Sequence, residues 1–164
     1  MGKSLASDPK LGIGAPDFVK ELRTVIYTVS SDKDSHFTES LTKDAVEREN
    51  ITGLRSNRIR ISKISVQADQ QLLFEVLLYG TDLFEEADLD TDRFIASVEF
   101  NLPTYGFQQT ENQWRLDIEG LNIDYIDVDE TKEIHAVLRN LSPTTKNAGA
   151  TGEVKVDFLC ESRA

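Results

Sequence analysis

Hydrophobic and polar residues alternate in short segments along much of this chain, as they do in β-strands with one buried face. The clearest example lies near the C-terminus, where Val154, Val156 and Phe158 alternate with charged residues over 152–159. This alternation predicts a half-solvated strand of an antiparallel sheet. Residues 72–79 are instead almost continuously apolar, which predicts a central strand buried on both faces.

A break in the alternation marks the segment 58–66. Apolar residues occupy every second position up to Ile61, but the next apolar residue is Ile64. Strict period two would place Ile64 on the opposite face, so the sequence predicts a β-bulge or a bend between these isoleucines. Further strands are predicted over residues 21–29, 36–41, 94–100, 113–118 and 134–141.

One short helix is predicted over residues 43–50, with Thr42 as a candidate N-cap and Gly53 near its end, although its apolar face is thin. About eight short strands predict two packed antiparallel sheets, either an immunoglobulin-like sandwich or a jelly roll. The strand number favours the jelly roll. The predicted fold class is therefore a mainly β, jelly-roll-like antiparallel β-sandwich of about eight strands with at most one short helix.

The chain of 164 residues is long enough for a single domain with its own hydrophobic core. Residues 1–17 contain glycine and proline without a sustained hydrophobic period, and we expect them to form an extended N-terminal arm. Residues 18–164 then form the β-sandwich domain. Such an arm can bind a neighbouring molecule.

The chain is acidic, with a formal net charge of -11 and a pI of about 4.6. Its mean field repels phosphate backbones and anionic lipids, so we expect neither nucleic acid nor membrane as a partner. No apolar run is long enough to span a bilayer, and the first residues lack the apolar core of a signal peptide. The single cysteine, Cys160, excludes an intrachain disulfide and is expected to fill the core.

The sharpest acidic motif comprises Asp88, Asp90, Asp92 and Glu99. Their spacing matches carboxylate positions one, three, five and twelve of an EF-hand calcium loop. Arg93, however, occupies the sixth position, where the sharp turn needs glycine, and the residues after it read as a strand. These four residues are candidate calcium ligands, and the alternative is a solvated acidic connection. No other cofactor is predicted.

A second acidic group surrounds an aromatic residue and comprises Asp124, Asp127, Asp129 and Glu130. Paired carboxylates can serve glycoside hydrolysis, but they are equally compatible with a turn. His135 lies within a predicted strand, where histidine more often closes a local hydrogen bond than it catalyses. The chain contains no nucleophile elbow, phosphate-binding loop, dinucleotide-binding glycine motif or zinc-protease helix, so we expect a protein that is not an enzyme.

Two further residue groups could bind partners. Basic residues concentrate at Arg55, Arg58, Arg60 and Lys63, and we expect this stripe to pair with the acidic segment 85–92 of the same chain or of another copy. Four aromatic residues lie in the third quarter of the chain: Tyr105, Phe107, Trp114 and Tyr125. They are candidates for a sugar-binding platform, and the alternative is that they fill the core or anchor loops.

From residue 72 onward the strand and turn pattern resembles virion structural proteins of tailed bacteriophages, the β-sandwich proteins that decorate or cement the head. The residues that carry this resemblance are 72–79, 90–95, 123–130, 134–142 and 146–154. The resemblance implies a non-enzymatic protein that is made in the host cytoplasm and resides in the virion. Its implied partners are a repeating capsid shell and copies of itself, with the arm reaching a neighbour.

The sequence therefore predicts a structural or assembly protein of a virion, which binds a repeating protein lattice. The alternative is a β-sandwich module that binds carbohydrate or calcium.

Overall fold

The computed structural model describes residues 24–31, 36–83, 93–111, 113–147 and 154–163. These residues form twelve strands and one short helix. The strands are β1 (Thr24–Ser30), β2 (Ser40–Leu41), β3 (Val46–Thr52), β4 (Arg58–Ala68), β5 (Leu73–Tyr79), β6 (Phe94–Asn101), β7 (Phe107–Thr110), β8 (Gln113–Ile118), β9 (Ile123–Ile126), β10 (Glu133–Asn140), β11 (Lys146–Asn147) and β12 (Val154–Arg163), and the helix is α1 (Leu102–Tyr105).

The strands form two large antiparallel sheets. One has the order β1-β12-β4-β8-β7, with β9 also paired to β4, and the other has the order β3-β10-β5-β6. If β8 and β9 are taken as one interrupted strand and the four-residue β7 is set aside, eight strands remain in the two sheets, and every connection between them except β5 to β6 crosses between the sheets. This is the arrangement of a jelly roll, so the predicted fold class is confirmed. A short pair, β2 with β11, stands apart.

The core lies between the two sheets and is filled by apolar side chains. Val154, Val156 and Phe158 are fully buried, which confirms the predicted alternation in the last strand. The rings of Phe74 and Phe100 stack with centroids 5.6 Å apart. Cys160 is also buried, as expected, and burial raises the pKa of its thiol to about 12.

The predicted β-bulge lies at Ser62. On β12, Leu159 is opposite Lys63 and Cys160 is opposite Ile61, so the register skips Ser62. The other neighbour of β4 changes at the same place, from β9 to β8. The bulge turns both Ile61 and Ile64 inward, and both are fully buried.

Strand β5 is buried on both faces, as its continuous apolar run predicted. Its inward residues contact the core, while Leu77 and Tyr79 face outward and form a second apolar cluster with Val137 and Leu83. Strands β10 and β6 flank β5, which makes β5 a central strand.

The predicted helix over residues 43–50 was wrong. Strand β3 occupies this region and pairs with β10. Its inward face carries Glu47 and Glu49 ahead of Ile51, and these charges hide the strand period in the sequence. The helix that does form, α1, begins at the side chain of Asn101, which accepts a hydrogen bond from the Thr104 N–H at 3.1 Å, and it has Pro103 in its first turn.

The predicted arm, residues 1–17, lies outside the described residues, as does the acidic segment 85–92. Among the described residues no helix is long and apolar enough to cross a membrane.

Candidate functional site

Three connections meet at one end of the sandwich. They follow β3, β5 and β9, and their described parts are residues 53–57, 80–83 and 127–132, which we call the three-loop end. The Asp127 N–H donates to the Asn57 carbonyl at 2.7 Å, and the Val128 N–H donates to the Gly80 carbonyl at 2.7 Å. The connection 127–132 is therefore bonded to both of the others.

Asp127 organises this end through its carboxylate, which is fully shielded from solvent. Its oxygens accept from the backbone N–H groups of Asp129, Thr131 and Glu133 at 2.9 to 3.1 Å and from the Thr131 hydroxyl at 3.0 Å. The ring nitrogen Nε2 of His135 lies 2.9 Å from Oδ1. Burial alone would raise the pKa of Asp127, but the hydrogen bonds from His135, Glu133 and Thr131 outweigh it and lower this pKa.

His135 closes local hydrogen bonds, as expected for a histidine within a strand. Its other ring nitrogen, Nδ1, lies 2.8 Å from the side-chain oxygen of Asn50 on the neighbouring strand β3. A side-chain amide has an acceptor on one branch and a donor on the other, so Asn50 can satisfy Nδ1 in either protonation state. The imidazole thereby joins two strands to the connection 127–132.

The hydroxyl of Tyr125 links the two sheets. Tyr125 belongs to β9 of the six-stranded sheet, and its hydroxyl donates to the Tyr79 carbonyl on β5 at 2.8 Å. It also accepts from the His135 N–H on β10 at 2.8 Å. The side chain is fully buried, and this burial raises the pKa of the hydroxyl well above its usual value. Tyr125 therefore acts as a neutral clamp between the sheets.

One carboxylate oxygen each from Asp127 and Asp129 and a ring nitrogen of His135 lie within 4.8 Å of one another, close enough to coordinate a metal. The protein's own donors already occupy these atoms, however. Asp129 accepts from the Thr81 hydroxyl at 2.7 Å and from the Asp82 N–H at 2.8 Å, in addition to the bonds that Asp127 makes. A metal would have to replace these bonds, so the arrangement fits a structural role.

Of the four candidate calcium ligands, Asp88, Asp90 and Asp92 lie outside the described residues. Glu99 lies on β6, where it is exposed and opposite Glu75 of β5. The calcium site stays a prediction. In the second acidic group, the structure brings Asp127 and Asp129 together, whereas Asp124 is an exposed residue of β9.

The aromatic residues do not form a common platform. Tyr125 is fully buried and Trp114 packs against the core, while Tyr105 and Phe107 are exposed. Core and anchoring roles thus apply to two of the four residues.

The basic stripe is partly neutralised within the domain. Arg60 pairs with Glu161 at 3.3 Å, and the guanidinium of Arg55 lies 4.9 Å from the ring centroid of Tyr27. Arg58 and Arg60 line an open surface depression of about 520 Å³ that also contains Asp124 and Glu161, so the charges there are balanced. The expected contact with segment 85–92 stays a prediction, because that segment is not described.

An exposed apolar patch next to the three-loop end was missed by sequence reasoning. Phe94, Ile126 and Val128 are each more than two-fifths exposed, and they surround an open depression of about 170 Å³, which we call the apolar depression. The ring of Phe94 packs edge-on against Tyr79 at 5.5 Å. A signal was available: if Tyr125 faces inward, period two places Ile126 outward.

Comparisons with known proteins add only distant likenesses. No protein-family model matches the chain, and no curated protein matches it. A structure of turnip yellow mosaic virus aligns with a TM-score of 0.37 and 13% identity, covering 87% of this chain and 81% of that chain. A structure of the empty head of turnip yellow mosaic virus (ATC) at 100 K aligns with the same TM-score and coverage at 11% identity.

Proposed function

We propose that the protein is a non-enzymatic structural subunit of a virion that decorates or cements a capsid shell by binding shell subunits. The observation that carries this proposal is the apolar depression beside the three-loop end. Its partner is another protein, since the chain's net charge of -11 disfavours nucleic acid and anionic membranes.

The interior of the sandwich is filled with side chains, which leaves the outer surface for binding. Jelly rolls occur in viral capsid proteins, lectins and cupins, and the fold alone does not decide between these roles. Here the space between the sheets is occupied by large buried side chains, among them Phe74, Phe100, Tyr125 and Phe158. A protein with such a core works through its outer surface.

The apolar depression has the chemistry of a protein contact. Clustered exposed apolar side chains on a soluble domain commonly mark an interaction surface. Charges of both signs border it, because Asp124 and Arg93 line the depression and Asp129 and Asp82 lie on the adjacent connections. The matching surface on a shell subunit presents an apolar side chain flanked by a basic group that faces Asp124 and an acidic group that faces Arg93.

The test is co-sedimentation of the purified protein with shells formed by the capsid protein of the same genome. We expect the wild type to pellet with the shells and Val128→Asp to bind about tenfold more weakly. Tyr105→Asp alters an exposed aromatic residue of α1 and is the matched control, which we expect to bind normally. If the wild type stays in the supernatant with shells in excess, the decoration role is contradicted. If the protein forms closed shells by itself, it is the shell subunit instead.

A further inference from the structure

Strand β1 forms one edge of the six-stranded sheet. It pairs with β12 over its whole length, from Thr24 opposite Arg163 to Ser30 opposite Asp157. Within the described part of the chain no strand pairs with its other side. A free sheet edge offers a row of backbone donors and acceptors to another strand.

The backbone groups that face this free edge can be assigned from the register. The Ser31 N–H donates to the Val156 carbonyl, so residues of the same parity, such as Val29 and Tyr27, direct their N–H and C=O groups towards β12. The residues between them therefore direct theirs away from the domain. They are Thr24, Ile26, Thr28 and Ser30.

The composition of β1 leaves this edge unprotected. Its seven residues, Thr-Val-Ile-Tyr-Thr-Val-Ser, include no charge, proline or glycine. Natural sheet edges are commonly guarded by charges, bulges or short length. The other terminal strands show these guards, since β3 carries three charged residues, β6 carries Glu99, and β7 has only four residues and a register shift.

The side chains of β1 attach the strand to the domain on one face and leave it exposed on the other. Ile26 is 64% exposed, and its neighbours on the same face, Thr24 and Thr28, are exposed as well. On the opposite face, the Tyr27 hydroxyl accepts from the Arg55 N–H at 3.0 Å, and the Arg55 guanidinium covers the ring. The strand is thus held in place by the domain, while among the described residues no strand covers its other side and Ile26 is exposed.

We propose that β1 pairs antiparallel with β1 of a second copy, joining two six-stranded sheets across a two-fold axis. Full overlap of the strand places Tyr27 at the axis and Ile26 opposite Thr28 of the partner. About eight backbone hydrogen bonds form in this register, because each outward-facing residue exchanges two with its counterpart. The cross-strand neighbours are uncharged and mostly β-branched, which favours pairing.

This homodimer does not require a shell, so a result that contradicts the homodimer leaves the decoration role untouched, and the reverse also holds. Its response to salt also separates it from pairing between the basic stripe and segment 85–92. Each copy carries a net charge of -11, and salt screens the repulsion between copies. Higher salt therefore strengthens the β1 dimer, whereas it would weaken a dimer held by opposite charges.

The experiment is sedimentation velocity of the full chain from micromolar to submillimolar concentration, at low and high salt. Ile26→Lys places like charges near each other across the axis, and Thr28→Pro removes an N–H that faces the free edge without removing one bonded to β12. We expect each variant to weaken dimerisation at least about tenfold. Thr104→Lys adds the same charge on α1 and is expected to dimerise normally. Thermal melting verifies that each variant is folded.

Amide hydrogen exchange provides a second readout. The Ile26 and Thr28 amides should be protected in the dimer and exchange quickly on dilution, while the Tyr27 amide stays protected at every concentration. Three results would overturn the proposal: a monomer at the highest concentration, a dimer that neither variant weakens, or Ile26 and Thr28 amides that remain protected in the monomer. A dimer that salt dissociates would also count against it.

Discussion

The Asp127 carboxylate and the His135 imidazole form a buried pair, with Oδ1 2.9 Å from Nε2 and exposed side-chain fractions of 0% and 3%. Such a pair is stable only when its remaining lone pairs and protons are also satisfied. Here three backbone N–H groups, a hydroxyl and the Asn50 amide complete the arrangement. The pair fixes the connection 127–132 to the sheet.

Asp127→Asn should therefore destabilise the fold strongly. The amide group keeps the shape but replaces one acceptor oxygen by a donor that faces N–H groups, and we expect a loss of about 3 kcal/mol in the free energy of unfolding. Urea denaturation measures this loss. The matched control is Asp124→Asn at an exposed position of β9, which should stay within about 0.5 kcal/mol of wild type.

The same pair predicts how stability changes in acid. Because the pKa of Asp127 is lowered in the fold, its contribution is complete above the ordinary aspartate pKa and is lost as pH falls through the lowered value. Wild type should lose stability below about pH 4, with a steeper slope than Asp127→Asn. Melting temperatures across the acid range give the two slopes, and equal slopes would contradict this role.

Tyr125→Phe tests the clamp between the sheets. Without the hydroxyl, the Tyr79 carbonyl and the His135 N–H lose a buried partner, and we expect about 2 kcal/mol of destabilisation. Tyr105→Phe removes a hydroxyl from a side chain that is 71% exposed and should have almost no effect. Comparable losses in both variants would show that Tyr125 acts through something other than these bonds.

The fold class could be predicted from sequence because it depends on local periodicity. The bulge at Ser62 followed directly from the spacing of Ile61 and Ile64, since only an extra residue lets both face inward. Strand β3 could not be recognised because Glu47 lies on its inward face. That carboxylate is accommodated by the Thr38 and Glu39 N–H groups at 3.0 Å, a tertiary contact that periodicity does not show.

The site was harder to predict than the fold. The sequence places Asp127 and Asp129 in one acidic group, but their convergence on His135 depends on how the strands pair. The apolar depression likewise combines residues from β6, β9 and the connection after β5. Neither the partners of Asp127 nor this patch follows from spacing alone, because strand order decides which distant residues meet.

Gly80 marks a close approach between two connections of the three-loop end. A Cβ at this position would lie 2.8 Å from the Ile126 carbonyl oxygen and 3.2 Å from a Val128 methyl group. Gly80→Ala should therefore cost about 2 kcal/mol of stability through overpacking. The contrasting variant is Gly120→Ala, where no atom lies within 4 Å but φ is +73°, so only a conformational cost of about 1 kcal/mol applies. Chemical denaturation compares the two losses, and a larger loss for Gly120→Ala would contradict the steric argument.

Glu49 couples stability to pH near neutrality. It lies two residues after Glu47 on β3, and its side chain is 25% exposed. Burial, together with the charges of Glu47 and Glu39 and a hydrogen bond to Glu47, raises the pKa of Glu49 to about 7. The His36 ring nitrogen Nε2 lies 3.9 Å from the same carboxyl and is the positively charged neighbour when protonated.

Between about pH 4.5 and 7, the raised pKa keeps the Glu49 carboxyl protonated in the folded state, whereas the same carboxyl is ionised in the unfolded chain. Stability from this group is therefore complete below that range and is lost as pH rises through 7. Glu49→Gln is uncharged at every pH, so its melting temperature should equal that of wild type near pH 4. At pH 8 the variant should melt about 2 to 4 °C higher than wild type, a difference already reduced to allow for solvent screening. His36→Gln is the control, because it removes the neighbouring ring but keeps Glu49, so the loss of stability between about pH 4.5 and 7 should remain. A wild-type melting temperature that stays level between pH 5 and 8 would contradict the raised pKa.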